Sequence, residues 1–168
     1  AKKLSPREIP RMSRRTLAPM LRPAGYFNVK ADRLKHFVDF LMRDFRGSIS
    51  RMKREEAAGL RKKLLQVNGV GPETADSILL YALGKSSFVI DAYTKRIFSR
   101  HGLADHDLDY DGWQAIFVKA LPRRVSLYND YHAQIVRVAK EHCRKAPRCG
   151  SCPLHGFRVR TKKNKILY

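Results

Sequence analysis

Apolar residues recur at helical spacing along most of this chain. Between Lys30 and Phe45, the residues Leu34, Phe37, Val38, Leu41 and Phe45 share one side of a 3.6-residue repeat, which predicts an amphipathic helix stopped by Gly47. Ser13 suits the cap of a shorter helix through Leu21, before Pro23-Ala24-Gly25 breaks the pattern. A third helix is expected from Lys53 to about Gln66, with Leu60, Leu64 and Leu65 turned inward. Pro72 stands where a first-turn proline is tolerated, and Ala75, Ile78, Leu79 and Ala82 carry the spacing on to Gly84. After Asp91, the residues Tyr93, Ile97 and Phe98 mark the buried side of a helix closed by Gly102. Two more helices are expected, from Trp113 to Leu121 and from Leu127 to about His142. The run "SSFVI" reads as an extended link, five residues being too few to assign a strand. No strand pair and no internal repeat is visible, so the fold class is all-α.

Composition adds a partner to this picture. The chain has 168 residues, 43% of them hydrophobic, enough for one packed domain or two small lobes. Lys and Arg total 35 against 15 Asp and Glu, a formal net charge of +20. That far exceeds the ~2–8 that keeps a small domain soluble. A polyanion is the natural counterpart, because basic side chains displace condensed counterions from phosphate backbones. Solubility alone and an anionic membrane surface are the rival readings. No apolar run approaches the ~20 residues of a spanning helix, and no signal peptide is visible.

The three cysteines, Cys143, Cys149 and Cys152, lie within ten residues of one another. An odd, clustered set does not resemble a secreted disulfide framework; a reducing compartment and a metal site fit better. The closing segment "GFRVRTKKNKILY" holds five basic residues and no acid, and reads as a disordered tail or a nucleic-acid arm.

The stretch "VNGVGPETAD", Val67 to Asp76, places a tight turn between two helices. Gly69 and Gly71 permit positive φ and close approach of a ligand. The first amides of the following helix are unpaired within it, with the positive end of its dipole behind them. Such a mouth accepts a phosphate without reading sequence. A plain helix-turn-helix connection would use the same glycines. The surroundings are more specific: Leu64 and Val67 before the turn, Val70 within it, and Thr74, Ala75 and Ile78 after it. This pattern resembles the helix-hairpin-helix motif.

The resemblance extends along the chain. Downstream of the hairpin comes "FVIDAYTKRI", upstream "GYFNVKADRLK", and later "HCRKAPRCGSCPL". Together, from about Leu21 to Leu154, they resemble the endonuclease III branch of the helix-hairpin-helix, Gly/Pro-rich, Asp DNA glycosylases. The resemblance implies a helical glycosylase domain over residues 1–155 with a cysteine loop at 143–155 and a basic tail at 156–168. It also implies base-excision repair of duplex DNA by a monomer, with no membrane, in the cytoplasm or nucleoid of a bacterium or archaeon. Gly69, Val70, Gly71, Thr74 and Lys30 take the DNA-contacting positions.

Asp91 matches the family's catalytic carboxylate. Breaking an N-glycosidic bond builds oxocarbenium-like charge on the sugar, and a fixed carboxylate stabilises it and can orient or deprotonate water. Asp91 is equally well placed to cap the helix that follows, and one residue can do both. Bifunctional members carry a lysine in the second hairpin helix that attacks the sugar and forms an imine. The matching residue here is Glu73, which cannot. The resemblance therefore implies a monofunctional enzyme, with alkylated purines the expected substrates because "ETAD" is similar to the 3-methyladenine glycosylase III-like enzymes. Glu73 would also serve simply as a favourable first-turn acid. Lys95, one turn beyond Asp91, is the rival lyase candidate.

Two departures stand out. The family's iron–sulfur loop has four cysteines, whereas Cys143, Cys149 and Cys152 are three, with His155 as the candidate fourth ligand. An incomplete or labile [4Fe-4S] cluster, zinc and an empty site all remain open. The chain also begins some tens of residues into the family pattern, so an N-terminally truncated domain is expected, without its first helices. Against the monofunctional glycosylase stand a bifunctional glycosylase/lyase and a non-catalytic DNA-binding module.

Overall fold

The computed structural model describes residues 5–157. The basic tail beyond Phe157, including Arg158, lies outside them. Among the described residues every regular element is helical and none is a strand. No helix among them is long and apolar enough to cross a membrane. The chain forms two compact units, Ala1–Gly84 and Lys85–Tyr168.

The first unit begins with a short 3-10 turn, Ile9–Arg11, and α1, Arg14–Met20. Ser13 caps α1 as its sequence suggests, its Oγ accepting from the Thr16 amide at 3.2 Å. A second 3-10 turn, Arg22–Ala24, leads into α2, Phe27–Phe45, which starts three residues before the expected Lys30. Ile9, Leu17 and Ala18 pack with Ala31 and Val38 of α2 in one apolar cluster.

The single helix expected from Lys53 to Gln66 is instead two, α3, Ile49–Arg54, and α4, Ala57–Leu65. Ser48 Oγ accepts from the Arg51 amide and starts α3. The break itself lies at Glu55 and Glu56, both extended, where the Glu56 carboxylate accepts from the Gly59 amide at 2.8 Å and starts α4. Helical periodicity continues across such a break, which is why spacing alone merges the two. After the turn comes α5, Pro72–Ser77, continued by a π-helical segment, Ile78–Ala82. Phe40, Leu41 and Phe45 of α2, Met52 of α3, Leu60 and Leu64 of α4, and Val67, Val70, Ala75, Leu79 and Leu83 form the second cluster. The hairpin is therefore bolted to the core through its own turn residues.

The second unit opens with residues 85–90, which belong to no helix or strand and include a tight turn in which the Ser87 amide donates to Lys85 O at 2.9 Å. Phe88, Val89 and Ile90 are almost wholly buried, and the Phe88 ring stacks on Phe117 at 4.2 Å between centroids. This inward anchor fixes the position of the next residue, Asp91. Three helices follow: α6, Ala92–Arg100; α7, Tyr110–Ala120; and α8, Val125–Glu141. Asp109 caps α7, and α6 packs along α8.

Candidate nucleic-acid interface and active site

The turn between α4 and α5 is shaped by three backbone bonds. The Val67 amide donates to Leu64 O at 3.0 Å, the Val70 amide to Val67 O at 2.9 Å, and the Ala75 amide to Gly71 O at 2.9 Å. Val67 and Val70 point inward, each 8% exposed. Val70 is thus the apolar anchor of the turn and offers a ligand only its backbone.

The two glycines do different work. Gly69 has φ +84°, and a Cβ there would lie 2.3 Å from Cγ of Arg33. Gly71 is extended, with φ −89° and ψ 177°, and a Cβ there would meet nothing within 4 Å. Of the two, only Gly69 uses the positive φ that both permit. Gly69 is demanded by the fold, while Gly71 leaves space open above the turn.

Gly71 is also the N-cap of α5 and has no side chain with which to cap it. The first-turn amides therefore face the exposed side, where Glu73 and Thr74 also lie. An anionic oxygen placed there meets N–H groups and the positive end of the helix. A salt bridge behind the turn keeps α4 and α5 in register. Arg61 Nε and Nη2 donate to Asp76 Oδ1 and Oδ2 at 2.9 and 3.1 Å, and Asp76 is fully buried. Such a fork-on-carboxylate pair fixes geometry as well as energy. On the neighbouring α2, Lys30 lies in the first turn and its Nζ donates to Ala24 O, tying the 3-10 turn to the helix.

That same loop holds a residue the sequence patterns did not single out. Tyr26 is 88% exposed and left-handed, with φ 47°. No spacing rule finds it, because its conformation is set by the junction between the 3-10 turn and α2.

In the second unit Asp91 is the N-cap of α6. Its Oδ1 accepts from the Thr94 amide at 2.7 Å and from the Thr94 hydroxyl at 2.8 Å. Its Oδ2 lies 3.6 Å from Nε2 of His132 on α8, and the two side chains are 14% and 10% exposed. Burial pushes the Asp91 carboxyl up, but His132 and the two Thr94 donors outweigh it and hold the group below the usual carboxylate range. At neutral pH it is an anion of fixed orientation. Lys95, one turn on, is half-buried, and its amide donates to Asp91 O at 3.1 Å.

His132 also went unrecognised in the sequence. It sits in the buried face of α8 with Tyr128, Ile135 and Ala139. A histidine in an otherwise apolar stripe was the available signal, but what it faces is set by packing.

The cysteines do not form a cluster site. Cys143 is buried and receives a hydrogen bond at Sγ from Arg100 Nη1 at 3.4 Å, while Cys149 is exposed. His155 directs Nδ1 to Cys149 O at 3.0 Å, and among the described residues no group of three or more His, Cys, Asp or Glu gathers to hold a metal ion. These residues do not fit the iron–sulfur or zinc site raised by the sequence. Arginines hold the loop instead. Arg96 Nε donates to Cys143 O at 2.7 Å, and Arg100 donates to Arg144 O at 2.6 Å and to Lys145 O at 3.2 Å.

Comparison with known proteins places this geometry. No family model matches the sequence. A protein of Methanocaldococcus jannaschii, provisionally named a DNA repair glycosylase, is 47% identical over 143 residues, covering 84% of this chain and 64% of the relative. The crystal structure of the 3-methyladenine DNA glycosylase of H. pylori, bound to 1,N6-ethenoadenine, superposes with a TM-score of 0.71. It is 30% identical and covers 81% of this chain and 67% of its own. The chain belongs to the helix-hairpin-helix DNA glycosylases of the endonuclease III type. A non-covalent endonuclease III–DNA complex has the same fold, with a TM-score of 0.76 at 21% identity over 92% of this chain. The chain spans just under two thirds of the M. jannaschii relative.

Proposed function

We propose that the protein is a monofunctional base-excision DNA glycosylase. It hydrolyses the N-glycosidic bond of an alkylated base in duplex DNA and leaves an intact abasic site. The observation that carries this reading is Asp91, an ionised carboxylate held from two directions at the head of α6. As the C1′–N bond lengthens, the electron pair leaves with the base and positive charge grows on the sugar. The fixed anion stabilises that charge and takes a proton from the water whose oxygen bonds to C1′.

Duplex DNA as partner is supported by the charge of +20 and by the uncapped first turn of α5, which offers amides to a backbone phosphate. Water as nucleophile is supported by Glu73 at the position of the lysine that lyases use. An alkylated substrate is supported by the likeness to the H. pylori enzyme. The target nucleotide must leave the stack to reach the carboxylate, and damaged bases unstack at least cost. A nucleoid location follows from the partner.

The test uses the full-length protein with methylated duplex DNA, scoring free bases and strand breaks before and after hot alkali. Bases released without prior breaks are expected. Asp91→Asn should reduce release by about 10²–10³-fold while duplex binding survives. A borohydride-trapped adduct with the unmodified protein, on Lys95 or any other lysine, would move it to the lyase class.

A further inference from the structure

Glycosylase chemistry at Asp91 needs one carboxylate oxygen open to the sugar and its water, and the two oxygens are not equivalent here. Oδ1 accepts two hydrogen bonds from Thr94, amide and hydroxyl, at 2.7 and 2.8 Å. A carboxylate oxygen has about two lone-pair sites, so Oδ1 is filled by the capping role. Oδ2 is the oxygen left for chemistry. The side chain standing against it is His132, with Nε2 at 3.6 Å. That distance is longer than a hydrogen bond and within ionic reach, so a small rotation of either side chain closes it. The imidazole comes from α8, a different helix, and capping α6 does not require it: Thr94 alone satisfies the cap.

We propose that His132 is the positioning residue for Asp91, holding the reactive Oδ2 in place and in its anionic form. This rests on the glycosylase reading above. Thr94 fixes one oxygen from within α6; once the 3.6 Å contact closes, His132 holds the other from α8, and rotation of the carboxylate plane about its Cβ–Cγ bond is restrained from both sides. One lone-pair site on Oδ2 remains for water or for the developing sugar charge. The groups bearing on the carboxylate are Thr94 from its own helix and His132 from α8, and both lower its proton affinity against the opposing effect of burial. The packing of α6 on α8 thereby becomes part of the active site.

The test compares His132→Leu, which removes the donor, with His132→Gln, which keeps an N–H of similar reach. Single-turnover base release from methylated duplex DNA should fall about ten- to a hundredfold in His132→Leu and recover most of that in His132→Gln, with duplex affinity unchanged in both. Carbon-detected NMR titration of the Asp91 carboxyl should show a higher midpoint in His132→Leu than in the wild type. Should His132→Leu not fold, the reciprocal effect is read in the wild-type sequence at His132: Asp91→Asn must shift its ring-nitrogen resonances. Wild-type release from His132→Leu, or an Asp91 titration indifferent to residue 132, would overturn the proposal. The two readings fail separately. Absence of base release from the wild type sinks the glycosylase reading, while the NMR arms still decide whether His132 governs Asp91.

Discussion

Replacing each hairpin glycine in turn separates what the fold needs from what a ligand needs. At Gly69 the φ of +84° costs any L-residue about 1–2 kcal/mol. A Cβ would also stand 2.3 Å from Cγ and 3.1 Å from Cβ of Arg33; the first can swing away, the second is fixed to α2. Gly69→Val should therefore destabilise by roughly 2 kcal/mol or more, which lowers Tm by about 4–8 °C in a chain of this size. At Gly71 the backbone is already extended and no atom lies within 4 Å of a new Cβ. Gly71→Val loses a tolerated N-cap but also restricts the unfolded chain, so its net effect should stay within about 1 kcal/mol. The valine methyls would occupy the space above the first-turn amides of α5. Binding of a short duplex, followed by fluorescence anisotropy at several salt concentrations, should weaken at least about tenfold. The dependence of log affinity on log salt should become shallower by roughly 0.9 for each phosphate the amides no longer hold. Wild-type affinity in folded Gly71→Val would refute the backbone-amide grip.

Asp91→Asn should leave Tm nearly unchanged at neutral pH, because asparagine caps as well as aspartate, while base release collapses; a fold lost with the activity would make Asp91 only a cap. The Asp91 pKa is depressed in the folded protein, so the stabilisation it gives is present above the ordinary carboxylate pKa and lost as pH falls through the folded value; Tm of the wild type and of Asp91→Asn should therefore agree near neutrality and separate in acid, the wild type falling further because asparagine does not titrate. Arg61→Ala should destabilise by about 3–5 kcal/mol in urea unfolding, since it removes the two-pronged guanidinium contact to the fully buried Asp76. Tyr26→Ala should weaken duplex binding by about 1–3 kcal/mol without lowering Tm, if the exposed ring stacks on a base. Cys149→Ser with Cys152→Ser should leave the fold intact, whereas Arg100→Ala should cost about 1–3 kcal/mol; loss of bound iron and of folding in the cysteine variant would restore the cluster reading.

Local chemistry was legible in the sequence wherever a residue acts on its chain neighbours. Ser13 caps α1 and Asp91 caps α6 because a short polar side chain reaches an amide three residues on, a distance that sequence spacing itself defines. The hairpin was legible for the same reason: Val67, Val70 and Ala75 face inward because helix period and turn geometry leave them no other side. Spacing failed where two helices share one apolar period, as at Glu55-Glu56, where the Glu56 cap breaks a pattern that the periodicity runs through. Both glycines permit positive φ, and only the folded turn shows that it is used once, at Gly69. What packing alone decided were the meetings of residues distant in sequence. Asp91 faces His132 because α6 lies along α8, Asp76 meets Arg61 because the turn folds α5 back on α4, and Cys143 lies under Arg100 instead of beside two other thiols. Each of these depends on the relative placement of two helices, which is set by the sum of many apolar contacts and is encoded in no single stretch of the chain.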